Sequence, residues 1–250
     1  MSVLSLTMAS SLVLISIFIS YYQKIGIEKE IIIGTIRAVV QLTIVGYILH
    51  YIFSANNVLF TLAMVTLMIV VAGNNASKRG KEIPKVFYFI TFSIALSATI
   101  TISLLILFGN IHFIPQEVIP VSGMIIGNSM VASGLAISRL KDDIKNKSEE
   151  LEVYLSLGAT SRQAAQKIIK TSIKTGMIPT VDSMKTLGIV QLPGMMTGLI
   201  LGGVDPINAV KYQIMVTFML ASTVAISCFT VTFLTYRTFF TKQHQLRQAF

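Results

Sequence analysis

Long apolar runs separated by short polar segments dominate the sequence. Seven of these runs are nearly free of charge and approach the roughly 20 residues that a helix needs to cross a bilayer. They are Val3–Ser20, Ile31–Phe53, Val58–Asn75, Val86–Phe108, Val118–Ser138, Thr186–Gly203 and Tyr212–Tyr236. Their apolar residues are continuous rather than alternating, which favours helices over barrel strands. The pattern predicts an all-α fold with seven transmembrane helices.

The overall composition supports the same interpretation. Hydrophobic residues make up 53% of the 250 positions and charged residues only 12%. A water-soluble globular domain carries about twice that share of charge. We therefore interpret the chain as an integral membrane protein, with one transmembrane domain over residues 1–250.

The basic residues indicate how the predicted helices are oriented. Eighteen of the 20 lysines and arginines fall in segments that seven spans place on one side. They are Lys24, Lys29, Lys78, Arg79, Lys81, Lys85, nine residues from Arg139 to Lys185, Arg237, Lys242 and Arg247. The positive-inside rule makes this side cytoplasmic, with the N-terminus outside and the C-terminus inside. The net charge of +9 then indicates contact with anionic membrane lipid, and we expect no nucleic-acid partner.

The longest polar segment, at about residues 139–185, is predicted to hold a pair of cytoplasmic helices between the fifth and sixth spans. Asn146 can cap a first helix, with Glu149 at the third position, and this helix should end near Leu157. Gly158 can supply the left-handed conformation that ends it. The two helices should therefore meet at a tight corner.

The second helix of this pair opens with another capping signature. Thr160 followed by Gln163 predicts its start, and we expect it to run towards Thr175. Its apolar positions share one face, opposite three lysines, which suits the bilayer surface or packing beneath the bundle. The apolar positions are Ala164, Ala165, Ile168, Ile169 and Ile173, and the lysines are Lys167, Lys170 and Lys174.

The corner resembles the EAA loop of ABC transporter permeases. In that loop, three residues separate a Glu-Ala-Ala sequence from a glycine, and nine residues separate this glycine from an Ile-x-Leu-Pro sequence. Glu152, Gly158 and Ile168 match this spacing. Val153 and Tyr154 replace the two alanines, and no Leu-Pro follows Ile168.

Further segments resemble the FetB family of iron-export permeases, and together they cover essentially the full chain. The segments are Ile178–Gly188, Leu192–Gly198, Gly202–Pro206, Gly123–Asn128 and Ala209–Gln213. The resemblance implies a homodimeric permease in a bacterial inner membrane that pairs with a separate ABC ATPase and exports iron. The expected docking residues for the ATPase are Glu149, Glu150, Glu152, Leu157, Gly158, Ala159 and Thr160.

The chain itself has no nucleotide-binding motif. It contains no Gly-x4-Gly-Lys-Ser/Thr loop, so ATP and Mg²⁺ would bind the partner and this chain would carry no cofactor. It also offers no convergent catalytic set, and we expect a transport subunit rather than an enzyme. His50, His112 and Glu117 lack the close spacing of metal ligands, so the sequence assigns no metal site.

Polar residues within the predicted spans are candidates for a translocation pathway. Arg37 is the most costly of these residues to bury, and Gln41 lies one helical turn away on the same face. Arg37 could instead extend its side chain to the lipid headgroups. Asn128 in the fifth span could contact the substrate or hydrogen-bond a neighbouring helix.

The sixth span carries the preferred candidate site. Pro193 and Gly194 should interrupt it at mid-membrane and free backbone carbonyls there, although a packing kink would leave the same sequence. Gln191, Met195 and Met196 flank the break. Asp182 and Lys185 are expected to pair along the helix at its cytoplasmic start. Asp205 with Pro206 should begin the seventh helix.

Three functional hypotheses remain open at this point. The first is an ABC permease that exports iron. The second is an ABC permease for another metal or for an organic or lipid-like solute, because no cluster of carboxylate, histidine or cysteine ligands marks a metal path. The third is a membrane-embedded enzyme or scaffold that uses the corner only for docking.

Overall fold

The chain is all-helical over the residues described by the computed structural model. These are residues 3–55, 57–241 and 243–247, with side chains from residue 10 onwards, so Lys242 lies outside them. This part of the chain contains no β-strand, and its only extended pairing is two isolated β-bridges. The all-α prediction is confirmed.

Nine α-helices account for most of the described chain. They are α1 (Val3–Tyr22), α2 (Glu28–Ala55), α3 (Val58–Ser77), α4 (Val86–Leu107), α5 (Pro115–Asn146), α6 (Ser148–Ser156), α7 (Ser161–Thr186), α8 (Gly194–Leu201) and α9 (Pro206–Thr235). Short 3₁₀ turns follow α3 and α9, at Lys78–Gly80 and Tyr236–Phe239.

The first compact unit, residues 1–57, is a helical hairpin of α1 and α2. Its turn contains Gly26 in the left-handed region, at φ +82°. The buried Ser20 hydroxyl donates a 2.7 Å hydrogen bond to the Glu28 carboxylate and accepts one from the backbone of Ile27. These bonds join the end of α1 to the start of α2.

The second compact unit, residues 58–250, is a bundle organised around α5. This helix packs against α3, α4, α7 and α9. Buried hydroxyl pairs link the helices: Thr101 and Thr223 lie 2.8 Å apart, and Ser133 and Ser227 lie 2.6 Å apart. Small hydroxyl side chains permit close approach of helices and are typical of bundles in lipid.

Among the residues whose side chains are described, five helices are long and apolar enough to cross a membrane. They are Glu28–Ala55, Val58–Gly80, Val86–Leu107, Pro115–Asn146 and Pro206–Phe239. They coincide with the predicted second, third, fourth, fifth and seventh spans. The chain is therefore a multi-pass membrane protein, while the number of seven spans and their orientation stay predictions.

The sixth predicted run, Thr186–Gly203, is interrupted as predicted, but the break is longer than Pro193 and Gly194 alone. The chain leaves the helical conformation at Leu187 and resumes it only in α8. Gly188 adopts φ +82°, and its amide donates to the Gln191 carbonyl, which closes a turn. Leu192 precedes a proline, a position that disfavours helix, and Pro193 stands directly before α8.

Two boundaries of the polar segment also differ from the prediction. Asn146 does not cap a helix, because it is the last residue of α5. The buried side chains of Leu140 and Ile144 hold the last turns of α5 against the rest of the bundle. The second helix, α7, does not end near Thr175 but continues to Thr186. Gly176 causes no stop, because it packs against α5 and α9, and α7 continues through Pro179.

Candidate functional site

The predicted corner between α6 and α7 is present and tightly hydrogen-bonded. Gly158 has φ +85°, and its amide donates to the Leu155 carbonyl. The Ala159 amide donates to the Tyr154 carbonyl at 3.0 Å. This pair of bonds is the Schellman arrangement, in which a left-handed glycine satisfies the last carbonyls of a helix.

A capping box completes the corner at the start of α7. The Thr160 hydroxyl accepts from the Gln163 amide, and the Gln163 side chain accepts from the Thr160 amide at 2.8 Å. The predicted second cap is therefore confirmed. Because both helix ends are hydrogen-bonded, the corner holds α6 at a defined angle to α7.

The solvent-facing surface of α6 and the corner carries acidic side chains and an exposed leucine. Leu157 is 80% exposed, and three carboxylates lie nearby on the solvent side of α6. They are Glu149, Glu150 and Glu152. Leu151 anchors α6 from below, at 1% exposure. The predicted docking residues are thus exposed, apart from the half-buried Ala159.

The C-terminal segment packs beside this corner, which the sequence did not predict. The imidazole Nδ1 of His244 accepts from the Ser161 amide at 3.2 Å and lies 2.8 Å from the Ser161 hydroxyl. Residues 243–246 and the corner line a shared groove. An isolated histidine in a polar tail carries no sequence signal that would place it at a helix start.

Helix α7 leads from the corner into the bundle. Its buried face comprises Ser161, Ala164, Ala165, Ile168, Ile169, Ser172 and Gly176, while Lys167, Lys170 and Lys174 are exposed, as the amphipathic pattern predicted. A Cβ added at Gly176 would lie 2.6 Å from the Cys228 sulfur and 2.7 Å from the Ala132 carbonyl oxygen. Contact this close ties α7 directly to α5 and α9.

A cavity of about 260 Å³ lies where α5, α7 and α9 meet. Its lining residues are Asn128, Val131, Ala132, Gly176, Pro179, Thr180, Ser183, Met184, Leu187, Gln191, Pro193, Gln213, Thr217 and Leu220. Three of the predicted pathway residues thus come together: Asn128, Gln191 and Pro193. Of the other predicted residues, Gly194, Met195 and Met196 begin α8 but do not line this cavity.

Gln213 is the cavity residue that the sequence analysis missed. Its side-chain oxygen is buried and has no hydrogen-bond partner. By contrast, the side-chain amide of Asn128 donates to the Met124 carbonyl at 2.8 Å. Thr217 lies one turn further along α9. The recurrence of two polar residues four apart in an apolar helix was a signal that could have identified this wall.

The cavity offers neutral hydrogen-bonding groups rather than charges. Its polar side chains are three amides and three hydroxyls, together with the thioether of Met184. Across the described side chains, no group of three or more His, Cys, Asp or Glu residues could hold a metal ion. Such a lining suits a polar solute or an ion that keeps its own ligands better than a bare metal cation.

Asp182 and Lys185, the charged residues singled out in α7, do not line the cavity, and Arg37 and Gln41 belong to the first unit. Arg37 and Gln41 are exposed on α2, one turn apart, in the first unit. Asp182 and Lys185 form a 2.8 Å ion pair on α7, as predicted, with side chains 60% and 67% exposed. They stand near the C-terminal end of α7.

The predicted start of the last long helix is confirmed. The Asp205 carboxylate accepts from the amides of Ile207 and Asn208, and Pro206 occupies the first turn. Upstream, α8 ends at Leu201 and Gly203 takes φ +90°. A connection of four residues therefore joins α8 to α9.

Comparison with known proteins identifies a family for nearly the whole chain. The model for "Uncharacterised protein family (UPF0014)" matches residues 3–240. No solved structure matches. The chain is 49% identical to the "Probable iron export permease protein FetB" of Escherichia coli, over 97% of this chain and 93% of that protein.

Other similar proteins occur in bacteria and plants. "UPF0014 membrane protein YjkA" of Bacillus subtilis is 45% identical, over 99% of both chains. "Protein ALUMINUM SENSITIVE 3" of Arabidopsis thaliana is 37% identical, over 94% of this chain and 86% of that protein. The matches support the predicted family, and the Escherichia coli and Bacillus subtilis names describe a permease and a membrane protein rather than enzymes.

Proposed function

We propose that this chain, which belongs to the UPF0014 family of membrane proteins, is the membrane-spanning subunit of an ABC transporter that exports iron. Two copies would form the translocation pathway in a bacterial inner membrane. A separate ATPase would bind ATP and Mg²⁺ and dock on the corner. The N-terminus would lie outside and the C-terminus in the cytoplasm.

The observation that carries this proposal is the path of α7. One unbroken helix of 26 residues links the corner at Thr160 to the cavity wall at Ser183. A helix of this size is roughly 39 Å long. Because the corner fixes its first turn and Gly176 ties its middle to α5 and α9, a force on the corner would reach the cavity.

The broken region after α7 supports a discontinuous sixth span. The C-terminal half of α7, the turn at residues 187–193 and α8 would together cross the bilayer, with irregular backbone at the cavity. Transporters tolerate such backbone where it lines a cavity, because water or substrate can satisfy its polar groups. Seven crossings would then give the orientation indicated by the basic residues other than Lys185, which would lie inside the bilayer.

A second candidate substrate class follows from the chemistry of the cavity. Its amides and hydroxyls carry no charge, so an organic solute, or a metal enclosed by its own ligands, would match them better than bare iron. The transport machinery would be the same. The two hypotheses differ only in which solute moves with ATP hydrolysis.

Transport by the purified complex tests this proposal. The chain and its ATPase are reconstituted together, and ATP-dependent movement of radioactive iron is followed with and without chelators. We expect movement that needs both proteins and ATP. Movement only of a chelated form would favour the second substrate class, whereas movement by the chain alone would overturn the proposal.

A further inference from the structure

One face of α7 carries an exposed ion pair. This face, which we call the outer face, comprises Ile178, Val181, Asp182 and Lys185, all exposed. Ser183, Met184 and Leu187 point to the cavity from the other side of the helix. The outer face is therefore a surface distinct from the cavity.

The depth of the outer face follows from its neighbours in the bundle. Ser183 lines the same cavity as Asn128 of α5. At about 1.5 Å per residue, Asn128 lies roughly 20 Å along the helix from Pro115 and roughly 16 Å from Arg139. The hydrocarbon core is about 30 Å thick, so a spanning α5 puts Asn128, and with it the Asp182–Lys185 pair, near the middle.

An exposed ion pair at this depth needs a polar partner. Charged side chains within a bilayer face protein or water and pair with one another. Asp182 and Lys185 stand one turn apart on the same surface, so the surface offers one acceptor and one donor. A second copy of the same chain presents the complementary pair when two outer faces meet about a two-fold axis.

We propose that in the membrane the outer face of α7 packs against the outer face of a second copy. Asp182 of each chain then pairs with the partner's Lys185, while Ile178 and Val181 supply the apolar surround. This inference rests on the proposed membrane function for the depth of α7. It adds the interface through which the two copies meet.

Charge segregation between two copies tests the pairing. One tagged copy carries Asp182→Lys and is positive at both positions, and a second, differently tagged copy carries Lys185→Asp and is negative at both. Each substitution breaks the pair within its own chain, so only contact between copies restores opposite charges. We expect mixed dimers to outnumber the dimers of like-charged copies severalfold, whereas random pairing makes about half of all dimers mixed. A random share would overturn the proposal.

Single-cysteine cross-linking gives a second measurement that does not alter the charge pair. The only native cysteine, Cys228, is fully buried and is first replaced by serine. Val181→Cys is then compared with Phe218→Cys, which is 64% exposed on α9. A short bis-maleimide should link two copies through position 181 and not through 218.

Equal yields at the two positions, or no linked dimer at 181, would contradict the interface. Transport measured on the same samples separates this failure from failure of the proposed function. A complex that transports iron without a cross-link at position 181 refutes the interface alone. Loss of transport in every preparation would instead refute the proposed function.

Discussion

Replacing Gly158 by valine should uncouple ATP hydrolysis from transport. Gly158 has φ +85°, and a Cβ added there would meet nothing within 4 Å. The substitution therefore introduces no clash with neighbouring atoms. Its whole effect comes from the left-handed backbone, which a β-branched residue strongly resists. The Schellman turn at the end of α6 would open as a result.

The size of the effect follows from the same backbone conformation. A residue with a Cβ pays roughly 1–2 kcal/mol to enter the left-handed region, and a β-branched residue more. This energy changes the equilibrium constant between the native corner and an opened corner by a factor of roughly 5 to 30. It remains small beside a total stability of about 5–15 kcal/mol, so the variant should insert and fold.

The assay measures transport and ATP hydrolysis together in vesicles that contain the chain and its ATPase. We expect the amount transported per ATP to fall in the variant, by at most the roughly 5- to 30-fold change in the equilibrium of the corner. Gly26→Val is the matched control, because Gly26 has φ +82° and equally open surroundings but lies in the turn between α1 and α2. It should carry the same strain and keep normal coupling.

Two results would refute this reasoning. The first is normal transport per ATP in Gly158→Val, which would show that the shape of the corner does not matter for coupling. The second is an equal loss in Gly26→Val. That result would show that any strained turn impairs transport, and the corner would have no special role.

Substitutions at three other positions test the packing, the capping and the cavity. Gly176→Ala should lower the midpoint of thermal unfolding in detergent, because the new methyl would lie 2.7 Å from the Ala132 carbonyl oxygen. We expect this overpacking to cost about 1–3 kcal/mol. An unchanged midpoint would contradict the close packing. In the same assay, Asp205→Ala should cost about 1 kcal/mol of stability, because the cap of α9 is lost. Asp205→Asn should cost less, because asparagine can still cap the helix. Equal midpoints for the two variants would argue against capping. Gln213→Leu should keep or raise the unfolding midpoint, because the unpaired side-chain oxygen of Gln213 costs about 1–3 kcal/mol when buried. The same substitution should reduce transport. Full transport by this variant would exclude the cavity from the pathway.

Much of the fold could be predicted because its causes are local. A long apolar run must form a helix in lipid, and five of the predicted runs are long apolar helices. The ends at Gly158, Thr160 and Asp205 could also be predicted, because each is set by one residue and its near neighbours. These signals need no knowledge of the rest of the chain.

The course of α7 could not be predicted, because it depends on contacts between distant helices. Gly176 and Pro179 suggest a stop in the sequence, but Gly176 is held in helix by its contacts with Ala132 and Cys228. For the same reason the break in the sixth predicted run is longer than the interruption predicted at Pro193 and Gly194. The true break begins at Leu187, where Gly188 turns the backbone before Pro193.

The candidate site was predicted in part for a similar reason. Asn128, Gln191 and Pro193 stood out as polar or helix-breaking residues in apolar surroundings, and they line one cavity. Gln213 escaped notice because its importance lies in an unpaired oxygen, which only packing reveals. The contact of His244 with Ser161 likewise joins residues far apart in the chain.

Photo-cross-linking from the corner tests most directly whether an ATPase drives this chain. A photoreactive amino acid replaces Leu157, which is 80% exposed, and the variant is reconstituted with the purified ATPase that supports transport. The control carries the same group at Tyr88, which is 68% exposed on α4. We expect illumination to join the chain to the ATPase from position 157 and not from position 88. A complex that transports its solute but yields no product at 157 would contradict docking at the corner.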